Sequence, residues 1–186
     1  PRVPRIARDD SRVEVAKGRR IYTWALEGPR AGSTTVPSPL FALSTFADWR
    51  TAGRWFATGQ PDGAANPTVR AKARELAAGA TAAREKVLAI HRGVSRSIRY
   101  VGAPFAASGY RARPPEEVLR TGWGDCKDQH FLLATLLREV GVIATPVLVS
   151  TSGELPFPEV PALSQFDHVV TLVDLGGEEL WLDTTL

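Results

Sequence analysis

Residues 122–130 read Gly-Trp-Gly-Asp-Cys-Lys-Asp-Gln-His and lead directly into an apolar run with helical spacing. The run consists of Phe131, Leu132, Leu133, Leu136, Leu137 and Val140. Asp125 is a favourable N-cap residue, and Gly141 follows the run at the point where a glycine commonly ends a helix. The pattern therefore predicts a helix that begins beside Cys126, the only cysteine of the chain.

The position of Cys126 suits a nucleophile. A cysteine in the first turn of a helix lies beside unpaired backbone N–H groups and the positive end of the helix dipole, and both favour the thiolate. A lone cysteine is also commonly a small buried apolar residue, so a structural role stays open at this point. With one cysteine, the chain forms no internal disulfide.

The composition excludes several classes of protein. The chain has 186 residues, of which 44% are hydrophobic and 23% charged, as expected for a soluble domain with its own core. The net charge of +3 is spread without basic blocks, so nucleic-acid binding is not predicted. No apolar stretch is long enough to span a bilayer. Because the chain starts with Pro1 and lacks methionine, we expect a piece of a longer protein, and its compartment stays open.

The first 36 residues differ from the rest. Segments 12–15 and 21–26 are rich in β-formers and flank a Lys-Gly turn, which predicts a strand pair. We expect residues 1–36 to be a linker or the last strands of an upstream β-rich domain, and residues 37–186 to form the main domain. Residues 32–39, with two prolines and four hydroxyl residues, are predicted to be a linker or crossing loop.

Three helices are predicted between this region and the cysteine. The first is capped by Ser44 or Thr45, the second begins at residues 66–67 and ends near Gly79, and the third begins at Thr81. Their apolar positions recur with helical spacing and are expected to form the core. These positions are Phe46, Trp49, Ala52, Phe56, Ala83, Val87, Ile90, Val94 and Ile98.

A long loop and a short helix follow. Residues 99–114 contain glycines and prolines and carry Tyr100 and Tyr110, and loops of this length are often functional. A short helix is predicted at residues 115–120. His91 lies near the apolar stripe of the third helix and is interpreted as a core residue.

The last part of the chain is predicted to form strands. Residues 142–150 form one strand, and Pro146 within it favours an edge position. Residues 167–173 and 179–183 are expected to pair as a β-hairpin around the two glycines at 176–177.

The hairpin register brings a histidine and an acid together. If residues 176–177 form a two-residue turn, Asp183 lies opposite Val170. Because side chains alternate between the faces of a strand, His168, Val170 and Asp183 then share one face. His168 and Asp183 become diagonal neighbours, about 7–8 Å apart along the backbone. A three-residue turn would place them on opposite faces.

Cys126, His168 and Asp183 together are the residue types that a covalent mechanism requires. The imidazole takes and returns a proton, while the carboxylate fixes its tautomer and stabilises the imidazolium. A strand carrying His168 and packed against the cysteine helix would place the base beside the thiol.

Three motifs in this order resemble the core of the transglutaminase-like superfamily. They are Gly-Asp-Cys-Lys-Asp at 124–128, Phe-Asp-His-Val-Val at 166–170 and Trp-Leu-Asp-Thr at 181–184. The resemblance covers about residues 41–186 and is strongest to bacterial members in which a β-rich domain of uncharacterised function precedes this domain. It implies a papain-like α+β fold, with N-terminal helices and the cysteine helix packed on an antiparallel sheet.

The resemblance also implies a reaction. Cys126 would be the nucleophile, His168 the general base and acid, and Asp183 the residue that orients the histidine. In this superfamily the thiolate attacks a carboxamide or peptide carbonyl and forms a thioester, which an amine or water then resolves. The expected partners are a protein or peptide substrate and, for transfer, an amine acceptor. No cofactor is expected, because the acidic calcium-binding loops of the animal enzymes have no counterpart here.

An oxyanion hole is also required, since the tetrahedral intermediate carries a negative charge. The backbone N–H of Cys126 is the natural first donor. The superfamily often uses an aromatic side chain shortly before the helix that precedes the cysteine, which points to Tyr110 and, secondarily, Trp123. The chain stops three residues after Asp183, so we expect this edge of the domain to be truncated.

Two other readings stay open. Cys126, His130 and His168 could ligate zinc, with Asp183 as a fourth ligand or an outer partner. The domain could instead be a non-catalytic module that holds a peptide in the same cleft.

Overall fold

The computed structural model describes residues 5–6, 12–23, 43–61, 66–102, 105, 109–153 and 157–186. The chain divides into two compact units. One consists of Pro1–Ala52 and Glu154–Gln165, and the other of Gly53–Gly153 and Phe166–Leu186. The predicted linker at 32–39 lies outside the described residues, as does the expected boundary between residues 36 and 37.

The first unit contains short antiparallel strands. Strand β1 (Arg5–Ile6) pairs with β4 (Leu43–Ser44), and β2 (Arg12–Ala16) pairs with β3 (Arg19–Thr23). The second pair turns at Lys17 and Gly18, whose φ angles are 51° and 72°. The predicted strand pair is therefore confirmed, while residues 24–26 at its predicted end lie outside the described residues.

The first helix, α1 (Trp49–Thr58), begins later than the sequence predicted. The predicted cap at Ser44 or Thr45 is wrong. The Asp48 carboxylate accepts the N–H of Thr51 at 2.7 Å, while Ser44 belongs to β4 and donates to the Pro161 carbonyl at 2.7 Å. A serine that has a tertiary partner is not available as a cap.

Three further helices precede the cysteine turn in the described part of the second unit. Helix α2 (Pro67–Leu76) is capped by Asn66, as predicted. Helix α3 (Ala83–Ser97) begins two residues after Thr81, because the Glu85 carboxylate accepts the N–H groups of Thr81 and Ala82 at 3.0 and 3.1 Å. Helix α4 (Pro115–Thr121) follows the loop.

The cysteine helix, α5 (Cys126–Arg138), begins at the predicted residue. Asp125 is its N-cap. After its last turn Gly141 adopts a φ of 80°, and the N–H of Val142 bonds back to the Leu137 carbonyl at 3.0 Å. Just before this helix lies the two-residue strand β6 (Trp123–Gly124), which pairs in parallel with β5 (Arg99–Tyr100). The sequence analysis did not predict this pairing.

The sheet of the second unit has three antiparallel strands. They are β7 (Thr145–Val149), β8 (His168–Asp174) and β9 (Glu179–Leu182), in the order β7-β8-β9. Pro146 therefore lies on an edge strand, as predicted. The mixed α+β architecture expected from the sequence is also confirmed.

The register of the β8–β9 hairpin is the one that the sequence predicted. Leu172 pairs with Trp181 and Thr171 with Leu182. The turn is formed by Gly176 and Gly177, with φ angles of 78° and 106°, conformations that glycine adopts without strain.

The core of the second unit lies between the helices and this sheet. Its buried residues come from α2, α3, α4, α5, β8 and β9 and from the segments that connect them. They are Val69, Ala73, Val87, Ile90, Val94, Ile98, Val118, Leu132, Leu133, Leu136, Leu137, Val142, Val173 and Leu182.

A buried hydrogen bond joins the cysteine helix to the central strand. The Nδ1 atom of His130 lies 2.7 Å from the Thr171 hydroxyl, and both residues are almost fully buried. His130 follows Cys126 by one helical turn, and Thr171 lies three residues after His168 on β8. This contact therefore sets the relative position of the helix and the strand that carry the two candidate catalytic residues.

We predict that Thr171→Val lowers the free energy of unfolding by about 1–3 kcal/mol, because it leaves a buried imidazole nitrogen without its partner. Urea unfolding measures the change. Thr145→Val is the matched control, since its side chain is exposed on β7, and its effect should stay within about 0.5 kcal/mol. Equal effects of the two substitutions would contradict the role given to the bond.

Candidate active site

The start of α5 is fixed by a reciprocal capping box. The Asp125 carboxylate accepts the N–H of Asp128 at 3.1 Å, and the Asp128 carboxylate accepts the N–H of Asp125 at 3.3 Å. Cys126, between them, is the first residue of the helix and is buried. The box uses the N–H groups of Asp125 and Asp128 and leaves the N–H of Cys126 for another acceptor.

Arg113 ties the preceding loop to this turn. Its backbone N–H and its Nε–H both donate to the Asp128 carboxylate, at 2.8 and 2.9 Å. Its Nη2–H donates to the Trp123 carbonyl, and its guanidinium carbon lies 3.8 Å from the centre of the Trp123 ring. The turn that leads to Cys126 is therefore held by the contacts of Arg113 as well as by the capping box of α5.

Lys127 is buried beside Cys126, with 2% of its surface exposed. Its ammonium forms an ion pair with the Asp125 carboxylate and lies 5.8 Å from the centre of the Phe105 ring. A buried lysine is stable only where such partners compensate for the loss of water. The pair offsets the charge of the N-cap at the point where the helix begins.

The His168 imidazole connects the other two candidate residues. Its Nε2–H donates to the Asp183 carboxylate at 2.8 Å. The hydrogen bonds with Asp183 and then with Cys126 raise the pKa of His168 to about 10, although burial acts in the opposite direction. Because Nε2 is engaged with Asp183, Nδ1 is the nitrogen available to Cys126. The structure therefore brings Cys126, His168 and Asp183 together.

Asp183 is itself held by several contacts. The backbone N–H and the hydroxyl of Thr185 donate to its Oδ1 at 2.8 and 2.7 Å. The Nε2–H of His91 donates to its backbone carbonyl at 2.9 Å. Burial raises the pKa of Asp183, but the hydrogen bonds from His168 and Thr185 outweigh it and lower the pKa to about 2. His91, expected to be a core residue, thus contacts the acid of the site.

Tyr110 and Trp123, the aromatic residues predicted from the sequence, belong to other contacts. The Tyr110 ring packs against Phe105 and Trp55, with centroid distances of 5.2 and 5.9 Å. The Trp123 ring lies under the guanidinium of Arg113. No hydrogen bond between either side chain and Cys126 is found among the described residues.

Tyr100 is the aromatic residue that sequence reasoning missed. Burial first, and then the negative charges of Cys126, Asp125, Asp183 and Asp167, raise its pKa. Tyr100 therefore lies near these negatively charged groups. The parallel pairing of β5 with β6 would have placed Tyr100 beside the cysteine turn. Strands of two residues are too short to leave a pattern in the sequence, so this pairing could not be predicted.

The zinc reading of the sequence is wrong. His130 uses Nδ1 for Thr171 and packs edge-on against the Phe131 ring, and burial lowers its pKa to about 3. Its side chain is directed into the core rather than toward His168. No group of three or more potential ligands that could hold a metal ion is found in the described part of the chain.

Comparisons with known proteins identify the family and the fold of the chain. The family model of the Transglutaminase-like superfamily matches residues 70–182. A candidate protease from Parabacteroides distasonis superposes with a TM-score of 0.77 at 17% identity, over 97% of this chain and 37% of that chain. A candidate cysteine protease from Cytophaga hutchinsonii gives a TM-score of 0.47 at 18% identity, over 63% of this chain and 37% of that chain. None of the curated proteins matches the sequence.

These matches define what is shared. The chain spans 37% of the length of each solved chain. The likeness to the Parabacteroides distasonis protein shows the fold, so the papain-like α+β fold that the sequence motifs implied is confirmed. In the part of the chain that the structure describes, no helix has the length and apolarity needed to cross a membrane.

We predict that Gly124→Ala disturbs the start of α5. A Cβ atom at Gly124 would lie 2.8 Å from the Cβ of Asp128 and 3.3 Å from a Val118 methyl group, so the capping box must shift. Unfolding in urea should show a loss of about 1–3 kcal/mol. Gly53→Ala in α1 meets no atom within 4 Å and should stabilise by up to about 1 kcal/mol. A stabilising effect at both positions would contradict the close packing at Gly124.

We predict a pH-dependent loss of stability in Asp183→Asn. The pKa of His168 rises from 6.5 to about 10, so its contribution is complete below pH 6.5 and is lost as the pH rises through 10. The pKa of Asp183 falls from 3.8 to about 2, so its contribution is present above pH 3.8 and is lost as the pH falls through 2. The deficit of the variant should therefore be largest, about 2 kcal/mol, between these limits.

Urea unfolding of both proteins at pH 3, 5.5 and 9.5 measures this deficit. It should be greatest at pH 5.5 and smaller at the other two values. The same deficit at all three pH values would contradict the shifts of the His168 and Asp183 pKa values on which this prediction rests.

Proposed function

The chain belongs to the transglutaminase-like superfamily, and on this premise we propose that it is a cysteine peptidase or acyltransferase with Cys126 as nucleophile. The observation that carries the proposal is the position of the His168 imidazole, which hydrogen-bonds Asp183 through Nε2 and also hydrogen-bonds Cys126. A nucleophile, a base and a group that orients the base are the parts that covalent acyl transfer requires.

The first half of the reaction forms a thioester. With its pKa raised to about 10, His168 is protonated at neutral pH. The Cys126 thiolate attacks the carbonyl carbon of a peptide bond or a glutamine carboxamide, a carbon–sulfur bond forms, and the π electron pair moves to the oxygen. The imidazolium then gives its proton to the leaving amine or ammonia as the carbon–nitrogen bond breaks.

The second half releases the acyl group. The neutral imidazole takes a proton from water or from an incoming amine, which attacks the thioester. When the carbon–sulfur bond breaks, the sulfur leaves as a thiolate and the proton remains on His168. Asp183 keeps Nε2 protonated throughout, so Nδ1 is the nitrogen that exchanges the proton.

The same site supports three outcomes: hydrolysis of a peptide bond, deamidation of glutamine, and transfer of the acyl group to an amine. The name of the Parabacteroides distasonis protein, a candidate protease, agrees with the hydrolytic outcome. We therefore propose a protein or peptide as the acyl donor, with water as the acceptor, and an amine as the acceptor in the transfer reaction.

The test uses dimethylcasein with and without monodansylcadaverine. New peptide termini report hydrolysis, conversion of glutamine to glutamate reports deamidation, and dansyl incorporation reports transfer. We predict that Cys126→Ala lowers the rate of whichever product forms by about 10⁴-fold or more. We expect Asp183→Asn to lower it by about 10²- to 10⁴-fold, because the histidine loses the partner that fixes its tautomer.

Cys126→Ser provides a second variant in which the side chain keeps nearly the same size, and circular dichroism checks that both variants fold. Wild-type rates in either cysteine variant would refute the nucleophile. Casein binding by the wild-type protein without any product would instead support the peptide-binding module.

A further inference from the structure

The main chain of Asp183 lies just beyond the end of a strand. Strand β9 ends at Leu182, and the last pair of its ladder with β8 joins Leu182 to Thr171. The carboxylate of Asp183 must nevertheless stay within hydrogen-bond distance of the His168 imidazole, where it lies at 2.8 Å. Because the end of a strand frays more easily than its paired residues, the position of this carboxylate depends on bonds from outside the ladder.

His91 supplies a bond of this kind. Its Nε2–H donates to the backbone carbonyl of Asp183 at 2.9 Å, across 92 residues of sequence. A carbonyl oxygen can only accept a hydrogen bond, so the Nε2 atom of His91 is the one that carries a hydrogen. The main chain of Asp183 is thus held by a side chain of α3.

Helix α3 is a rigid support for this donor. Ile90 and Val94, on either side of His91 along the helix, are almost fully buried in the core. The same core cluster contains Leu182, the residue before Asp183. The helix and the end of β9 therefore share one core, and the bond from His91 extends their contact by one residue, to the acid of the candidate site.

The bonds to Asp183 divide into local and distant ones. The N–H and the hydroxyl of Thr185, two residues later, donate to the carboxylate at 2.8 and 2.7 Å, and they hold it relative to its own segment. The bond from His91 holds that segment relative to the core. Both are needed if the carboxylate is to keep one position beside His168, which is carried by a different strand.

We propose that His91 is a positioning residue of the candidate active site, which holds the main chain of Asp183 so that its carboxylate stays on the His168 imidazole. In this role His91 acts through Asp183 and takes no part in making or breaking bonds. Its effect on the reaction rate rests on the proposed function. Its effect on how tightly His168 binds a proton does not, and this effect can be measured without a substrate.

The test compares variants that remove or keep the donor at residue 91. His91→Leu removes it, whereas the amide N–H of His91→Gln lies as many bonds from Cα as Nε2–H does. Ser97→Ala is the matched control, because the Ser97 hydroxyl donates to the Gly93 carbonyl at 2.7 Å, so it too removes one bond between a side chain of α3 and the main chain. Circular dichroism checks folding, and His91→Ala replaces His91→Leu if the latter does not fold.

The first measurement is an NMR titration of His168 in protein labelled with ¹⁵N in its histidines. The chain has three histidines, and His130, with a pKa of about 3, stays neutral over the range studied. The hydrogen bond with Asp183 is the largest contribution that raises the pKa of His168 to about 10. We predict that His91→Leu makes His168 bind its proton about tenfold less tightly, while His91→Gln and Ser97→Ala stay within about twofold of the wild type.

The second measurement is the rate of product formation from dimethylcasein. His91→Leu should lower kcat by about 10- to 10²-fold and change KM little, because a base that is displaced by a fraction of an ångström loses its alignment with the sulfur. His91→Gln should restore most of kcat. In an Asp183→Ala background no carboxylate remains to be positioned, so His91→Leu should then have little further effect on the proton bound by His168.

Three results would overturn the role of His91. The first is a His168 that binds its proton as tightly in His91→Leu as in the wild type, even if the variant unfolds at lower urea, since the bond would then support the fold alone. The second is an equal loss in His91→Leu and His91→Gln, and the third is an undiminished loss in the Asp183→Ala background. A wild-type protein that forms no product from casein would refute the proposed function, while the titration of His168 would still decide the role of His91.

Discussion

The Asp128 carboxylate is the contact on which the rest of the site depends. Its two oxygens accept the N–H of Asp125 and both the backbone N–H and Nε–H of Arg113. These bonds join the loop before α4 to the first turn of α5, so the loop and Cys126 cannot move independently. Asp128 is 4% exposed, so water hardly competes for these bonds. Further along the helix, the His130–Thr171 bond fixes α5 on β8, and the candidate nucleophile and the candidate base are then carried by two rigid elements.

The parts of the fold that follow from local interactions could be predicted from the sequence. Asn66 and Asp125 cap their helices through atoms a few residues away, and residues 176–177 determine the hairpin register in the same way. The first helix could not be placed correctly, because Ser44 bonds to Pro161, 117 residues further along the chain. The pairing of β5 with β6 escaped prediction for the same reason, since each strand has only two residues and its partner is distant.

The candidate site shows the same division. Cys126, His168 and Asp183 could be selected because each lies in a local motif, and the hairpin register supplied the geometry of the last two. The prediction of a zinc site failed for a related reason. Helical spacing places His130 on the same side of α5 as Cys126, but it does not show that His130 is buried against the sheet, where it contacts Thr171. The contact between His91 and Asp183 depends on how α3 packs against the end of β9, and no pattern in the sequence describes that packing.

The balance of charge links the cap, the histidine and the tyrosine. Asp125 is compensated by the buried Lys127, whereas Asp167 accepts two hydrogen bonds from neutral groups of Thr151 and Asp183 is paired with His168. The hydrogen bonds with Asp183 and then with Cys126 raise the pKa of His168 to about 10, so this imidazole is a second cation beside the Lys127 ammonium. Burial and then the same negative groups raise the pKa of the Tyr100 phenol. In the mechanism proposed for Cys126, a charged imidazole that can release its proton to the leaving group is the protonation state from which acyl transfer would begin.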